Sequence, residues 1–182
     1  MKKSLAIFII LIIAIILIIS FIYKSDIDVS VNGDMGNMKI KSIFANNERI
    51  PIKYTCDGDD INPPLEIFDI PENAKSLVLI VDDPDAPVGT WDHWVLFNID
   101  TAIAKIDEDS IPRGAIQGKN SWERNDYGGP CPPSGTHRYF FKLYALNTIL
   151  DLNKNAEKVD VERAMRQHII GKTELIGLYS RE

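Results

Sequence analysis

Nineteen consecutive residues without a charge, Leu5–Tyr23 (LAIFIILIIAIILIISFIY), constrain this chain before any other feature. As an α-helix the run rises about 28 Å, close to the ~30 Å hydrocarbon core of a bilayer. Many of its residues are β-branched, yet inside lipid every backbone group must be bonded within the segment, which selects helix. A cleaved signal peptide has a shorter apolar core of about 7–15 residues and a small-x-small cleavage site. Here Ser20 is followed by Phe21, Ile22 and Tyr23. Residues 1–24 are therefore read as an uncleaved membrane anchor. Lys2, Lys3 and the amino terminus outnumber Lys24 on the far flank, which places the N-terminus in the cytoplasm and the remainder outside. The expectation is a single-pass protein of the cell membrane with an extracytoplasmic domain. Residues 25–37 (SDIDVSVNGDMGN) form a polar linker, and residues 38–182 form the domain.

Setting the anchor aside changes the charge argument. The whole chain of 182 residues carries a formal charge of −6. Removing Lys2, Lys3 and Lys24 from 20 basic residues leaves 17 against 26 acidic ones, a net charge of −9 for residues 25–182. A part this acidic lacks the Lys/Arg excess that displaces counterions from a polyanion, so nucleic acid is excluded as a partner. A single apolar run excludes multi-span transporters, and two cysteines exclude a disulfide-dense mini-protein.

From Met38 onward the pattern is strand-like. Lys39–Ala45, Leu65–Phe68, Ser76–Asp82 (a continuous apolar run), Asp92–Ile99 and the aromatic Thr136–Leu146 read as strands. Turn clusters such as Asp57-Gly58-Asp59-Asp60, Asn62-Pro63-Pro64 and Gly128-Gly129-Pro130 separate them. Short strands broken by Pro/Gly turns predict a mainly β protein, an antiparallel β-sandwich. One helix is predicted from Val161, Ala164, Met165, His168 and Ile169, which recur at i, i+3, i+4, i+7 and i+8. Asp160 is placed to N-cap it and Gly171 to follow it as a C′ residue. Glu174–Ser180 reads as a last strand.

Chemistry-bearing residues are few. His93 and His137 each begin a strand after a turn-rich loop, whereas His168 falls on the apolar stripe of the helix and reads as a core histidine. Asp83 and Asp85 follow a buried strand, with Pro84 and Pro87 stiffening the chain around them. Rigid carboxylates, two imidazoles and Arg138 suit a small polar pocket for a phosphate or carboxylate. Asp-Pro is also ordinary turn chemistry. Neither HExxH nor CxxC is present, so no metal is assigned. Asp57–Asn62 resembles a calcium loop only in acidity, since it lacks the sixth-position glycine and the twelfth-position glutamate. There is no G-x-S-x-G, and Ser134, between Pro133 and Gly135, reads as a turn residue.

Together these motifs resemble a family. Asp83-Pro84-Asp85-Ala86-Pro87 resembles the D-P-D-x-P signature of phosphatidylethanolamine-binding proteins, also called Raf kinase inhibitor-like proteins. Gly135-Thr136-His137-Arg138-Tyr139 resembles their G-x-H-R-Y signature. Tyr54–Gly58, Pro63-Pro64-Leu65, Gly128–Pro133 and Leu175–Arg181 are similar to the bacterial and archaeal, YbhB/YbcL-like branch, although Gln167 stands where that branch often has Gly. The resemblance implies a large antiparallel sheet packed on a smaller one, with a peripheral C-terminal helix. It also implies an anion pocket at one end of the sandwich, built from Asp83, Asp85, Pro87, His93, His137 and Tyr139, with Cys131 on one rim. It carries no established catalysis and no cofactor.

The expected function is a non-enzymatic, membrane-tethered binding domain for a small phosphate-containing ligand or a phospholipid head group. His93 and His137 would donate to phosphate oxygens while a carboxylate orients an imidazole. The alternative is an inhibitor or adaptor that holds a protein partner, a kinase or a protease, through the loops around the pocket. Cys56 and Cys131 both fall in loops beside this pocket. They are either two free thiols or a disulfide, which would contribute ~4 kcal/mol through the unfolded state.

Overall fold

The computed structural model describes residues 37–181. Within them the strands are β1 (Lys39–Ser42), β2 (Glu48–Arg49), β3 (Leu65–Phe68), β4 (Ser76–Asp83), β5 (Trp91–Ile99), β6 (Lys105–Ile106), β7 (Ile116–Gln117), β8 (His137–Leu146) and β9 (Ile169–Tyr179), with one α-helix, α1 (Lys158–Met165). They form two sheets. The smaller runs β1-β3-β6 and the larger β2-β9-β8-β4-β5-β7. Every pairing is antiparallel except that of the two-residue β2 with β9. The predicted sandwich is thus observed, and Leu65–Phe68 is found as read.

Strand β4 is buried along its whole length because both of its faces are covered. Side chains alternate across a strand, and the core divides accordingly. Leu77, Leu79 and Val81 join Leu96, Phe141 and Leu143 under the smaller sheet's Ile40, Leu65 and Ile67. Val78 and Ile80 join Val95, Phe97 and the Val161 and Met165 of α1 on the opposite face. A strand covered on both sides has no reason to alternate in polarity, and it reads as a continuous apolar run.

The topology also positions the site. Strand β4 lies between β5 and β8 and runs antiparallel to both. Its C-terminal end therefore meets the starting ends of two strands. Asp83 arrives beside Trp91 in the pairing register, and Asp82 opposite Phe140.

Three expectations need correction. The transmembrane helix expected ahead of the sandwich is one: among the described residues no helix is long and apolar enough to cross a membrane. The run Leu5–Tyr23 that suggested it, and residues 25–36 of the linker, lie outside those residues. The fold class is a β-sandwich with one C-terminal helix. The second concerns that helix, which ends at Met165. Its N-cap is Glu157, whose backbone N–H donates to the Asp160 carboxylate at 3.2 Å, so Asp160 sits in the first turn as half of a capping box. The third is His168. It lies beyond the helix, half-buried, with Nδ1 3.0 Å from the Asn147 side-chain oxygen. The 3.6-residue pattern ran on because Ile169 already belongs to β9, which also contains Gly171.

Candidate functional site

The loop after β4 is built by its own carboxylates. One Asp83 oxygen (Oδ1) accepts the N–H of Asp85 at 2.8 Å, closing the Asp-Pro turn. The other (Oδ2) lies 2.7 Å from Nδ1 of His137, the first residue of β8, and both side chains are almost fully buried. A carboxylate accepts, so Nδ1 of His137 carries a proton and Nε2 is the nitrogen without a partner among the described residues.

His93, the third residue of β5, presents Nδ1 to the carbonyl of Gly128 at 2.7 Å. Its ring meets those of Tyr139 and Trp122 edge-on, with centroids at 5.2 and 5.1 Å. Burial pushes the His93 pKa below the usual imidazole value, against the opposing pull of Gly128 and the nearby aspartates. His93 is therefore neutral near pH 7. The Gly128 carbonyl assigns its one proton to Nδ1, which leaves Nε2 as an acceptor. This refines the sequence reading, in which both imidazoles were donors.

Tyr139 follows His137 by two positions and projects from the same face of β8. It is fully buried, yet its hydroxyl has no hydrogen-bond partner among the described residues. Burial and the neighbouring Asp83 charge push its pKa far upward, so it is a neutral donor.

These groups enclose a cavity of about 270 Å³. Of the residues expected from sequence, Asp83, Pro87, His93, Cys131, His137 and Tyr139 line it. Asp85 and Arg138 do not. The Arg138 guanidinium forks onto the Asp85 carboxylate at 2.9 and 2.7 Å, and the Arg138 N–H adds a third bond at 3.0 Å. Arg138 holds the Asp85 carboxyl down at about 2. The pair fastens the β4–β5 turn to β8 from outside. Cys131 is bonded to Cys56, with Cα atoms 5.4 Å apart, which decides between the two alternatives left open above.

A larger depression of about 400 Å³ lies between the Asp151–Asn155 loop and α1, but it gathers Asp151, Asp160 and Arg163 and no imidazole. Among the described residues there is no group of three or more His, Cys, Asp or Glu placed to hold a metal.

The family model for phosphatidylethanolamine-binding protein matches residues 40–180 of this chain. The chain belongs to the phosphatidylethanolamine-binding protein family. A UPF0098 protein of Methanothermobacter thermautotrophicus is 52% identical over 143 residues, spanning 76% of this chain and 95% of its own. UPF0098 protein PH1269 of Pyrococcus horikoshii is 50% identical over 154 residues, spanning 80% and 78%. Among solved structures, CT736 of Chlamydia trachomatis, described as a homologue of this family, has a TM-score of 0.77 at 40% identity over 80% of this chain and 98% of its own. YbcL of E. coli, described as a member of the mammalian PEBP family, has a TM-score of 0.74 at 28% identity over 80% and 99%. The bacterial and archaeal branch indicated by the motifs fits these relatives.

In this member of the family the cavity has further walls: Ala86 and Pro133, which lie within the motifs, and Val88, Trp91 and Trp122, which lie outside them. Trp91 had a usable signal, since it precedes His93 by two positions on one strand and shares its face. Trp122 had only a remote one. Buried Asn120 accepts the N–H groups of Trp122 and Arg124, each at 3.0 Å, and so shapes the turn that presents the indole. A Cβ on Gly128 would come within 2.4 Å of that ring, so glycine lets the chain pass beneath it.

Proposed function

We propose that this chain is a non-enzymatic binding protein whose cavity takes one phosphate-like group, such as that of phosphoethanolamine or a phospholipid head. The observation that carries this reading is the Tyr139 hydroxyl, fully buried in the cavity wall without a hydrogen-bond partner among the described residues. A buried, unpaired hydroxyl costs about 1–3 kcal/mol, a cost that a ligand oxygen would offset.

The surrounding groups support a monoanion in particular. Tyr139 offers a donor, and Nε2 of His137 becomes a donor when the ring is protonated. Nε2 of neutral His93 offers an acceptor, which suits a protonated phosphate oxygen or an ammonium. Nothing in this set resembles an activated nucleophile: the single cysteine in the wall is in a disulfide, and Tyr139 is held neutral.

Titration calorimetry with phosphoethanolamine tests the reading, comparing the unmodified chain with His93→Ala plus His137→Ala. The expected result is binding that the double variant loses. Unchanged binding would overturn it. A second reading, a protein partner held by the rim loops, is supported by Val88, which is 79% exposed at the cavity mouth. A partner retained in pull-down by the double variant would favour that reading.

A further inference from the structure

The disulfide joins two segments that are held in different ways. Cys56 sits on a fixed platform. Its own N–H donates to the Pro130 carbonyl, and the turn around it is closed by Thr55 N–H to Ile52 O, Gly58 N–H to Thr55 O and Asp59 N–H to Lys53 O. The adjacent Asp57 carboxylate accepts from the Tyr179 hydroxyl at 2.8 Å and from Arg181 at 3.1 Å, which ties the platform to the end of β9.

The partner segment divides at Cys131. Gly128–Pro130 are buried and bonded: the Gly128 N–H donates to the His93 carbonyl, and the Gly129 N–H to the Asp60 carboxylate at 2.6 Å. From Cys131 to Thr136 no backbone–backbone hydrogen bond is formed among the described residues, and five of the six residues are exposed. Pro132 and Pro133 have no N–H to offer, and Gly135 takes a φ of 71°. Yet Cys131 and Pro133 form part of the cavity wall. Between the bonded Pro130 and the start of β8, the covalent tie to Cys56 is what holds this wall.

We propose that the Cys56–Cys131 disulfide is a redox-sensitive clamp on the cavity, holding the Cys131–Pro133 wall in place when oxidised and releasing the bound anion when reduced. The proposal rests on the anion-binding reading above. Cys131 is exposed where it joins the wall, so a dithiol can reach the bond. One thiolate of the dithiol attacks a sulfur of the pair, forming a mixed disulfide and expelling the other protein sulfur as thiolate. The second thiol of the reductant then displaces the mixed disulfide. Two electrons pass to the protein cysteines, which take up two protons, and the reductant leaves as its own disulfide. The released wall must then be ordered again by each ligand that binds, and affinity falls.

The experiment uses the full chain, oxidised or reduced with dithiothreitol, the state being verified by intact mass. Phosphoethanolamine binding is read by calorimetry and amide exchange by mass spectrometry. Reduction is expected to weaken binding by roughly tenfold and to speed exchange at the bonded amides beside the disulfide, Cys56 and Gly129, while β4 stays protected. The variant Cys56→Ser plus Cys131→Ser should bind weakly with or without dithiothreitol. Full reduction with unchanged affinity and exchange would overturn the clamp. Exchange that rises throughout β4 and β8 would also overturn it, since the bond would then be a staple for the whole fold. Failure of the oxidised chain to bind phosphoethanolamine would overturn the anion reading and ligand release with it, while exchange at Cys56 and Gly129 would still decide whether the bond holds the wall.

Discussion

Asp83 and His137 are 54 positions apart in sequence and meet at 2.7 Å, each almost completely buried, at the point where one strand ends and its neighbour begins. The contact follows from topology. β4 and β8 pair antiparallel, so the last residue of one reaches the first of the other. The carboxylate fixes which imidazole nitrogen faces the protein and leaves Nε2 without a partner among the described residues.

Replacing Asp83 by Asn keeps the shape and removes the charge. The amide still accepts from the Asp85 N–H or from His137, but without the charge that strengthens both bonds. We expect Asp83→Asn to hold the His137 ring less firmly and to weaken phosphoethanolamine binding about tenfold. Calorimetry on both proteins checks this. Unaltered affinity would show that Asp83 shapes only the turn.

Tyr139→Phe separates stability from binding. The hydroxyl has no hydrogen-bond partner among the described residues, so removing it relieves an unsatisfied buried group and should leave stability unchanged or raise it by up to about 1 kcal/mol. Ligand affinity should instead fall about fivefold, the worth of one ordinary hydrogen bond. Denaturant titration and calorimetry on the same sample read both. Equal affinity in the variant would remove the hydroxyl from the site.

Most of this arrangement was legible before the fold was known, for reasons that can be named. Asp83, His93 and His137 stand at strand ends beside Pro- and Gly-marked turns, and an antiparallel sheet brings such ends together. Arg138 and Asp85 were legible as charges but not as partners, because their mutual pairing depends on how far the β4–β5 turn folds back on β8. Trp122 lies in an irregular loop whose course is set by Asn120 and by the space under Gly128, and no periodicity reports that. The helix was overextended for the opposite reason. Apolar Ile169, at the start of β9, continued the helical spacing past its true end.

The neutral state of His93 has a consequence for stability. Its folded pKa is depressed by burial, so below its unfolded value of ~6.5 the unfolded chain binds more protons at this position. The contribution of a neutral His93 is fully present above that value and is lost as pH falls toward the folded pKa. Stability should therefore decline from about pH 6.5 downward, and His93→Gln should flatten the decline. Denaturant unfolding of both proteins from pH 7.5 to pH 5 measures the two slopes. Parallel slopes would assign the acid sensitivity to other groups.

The other face of the sheet supports the last prediction. Asp82, fully buried, points away from the cavity and receives Lys158 at 2.6 Å and Lys142 at 2.8 Å; Lys158 also reaches Asp92 at 2.9 Å. Lys158 opens α1, so this charge network is what docks the helix onto β4 and β5, beside the apolar contacts of Val161 and Met165. Removing one cation from a buried pair costs about 3–5 kcal/mol when the remaining charge is left alone. Here Lys142 still neutralises Asp82, so Lys158→Met should cost less, about 2 kcal/mol. The cavity lies on the opposite face, and phosphoethanolamine affinity should stay within about twofold of the unmodified chain, as expected for sites without shared partners. A large loss of affinity with little loss of stability would show instead that Asp82 and Asp92 act through the adjoining Asp83 and His93.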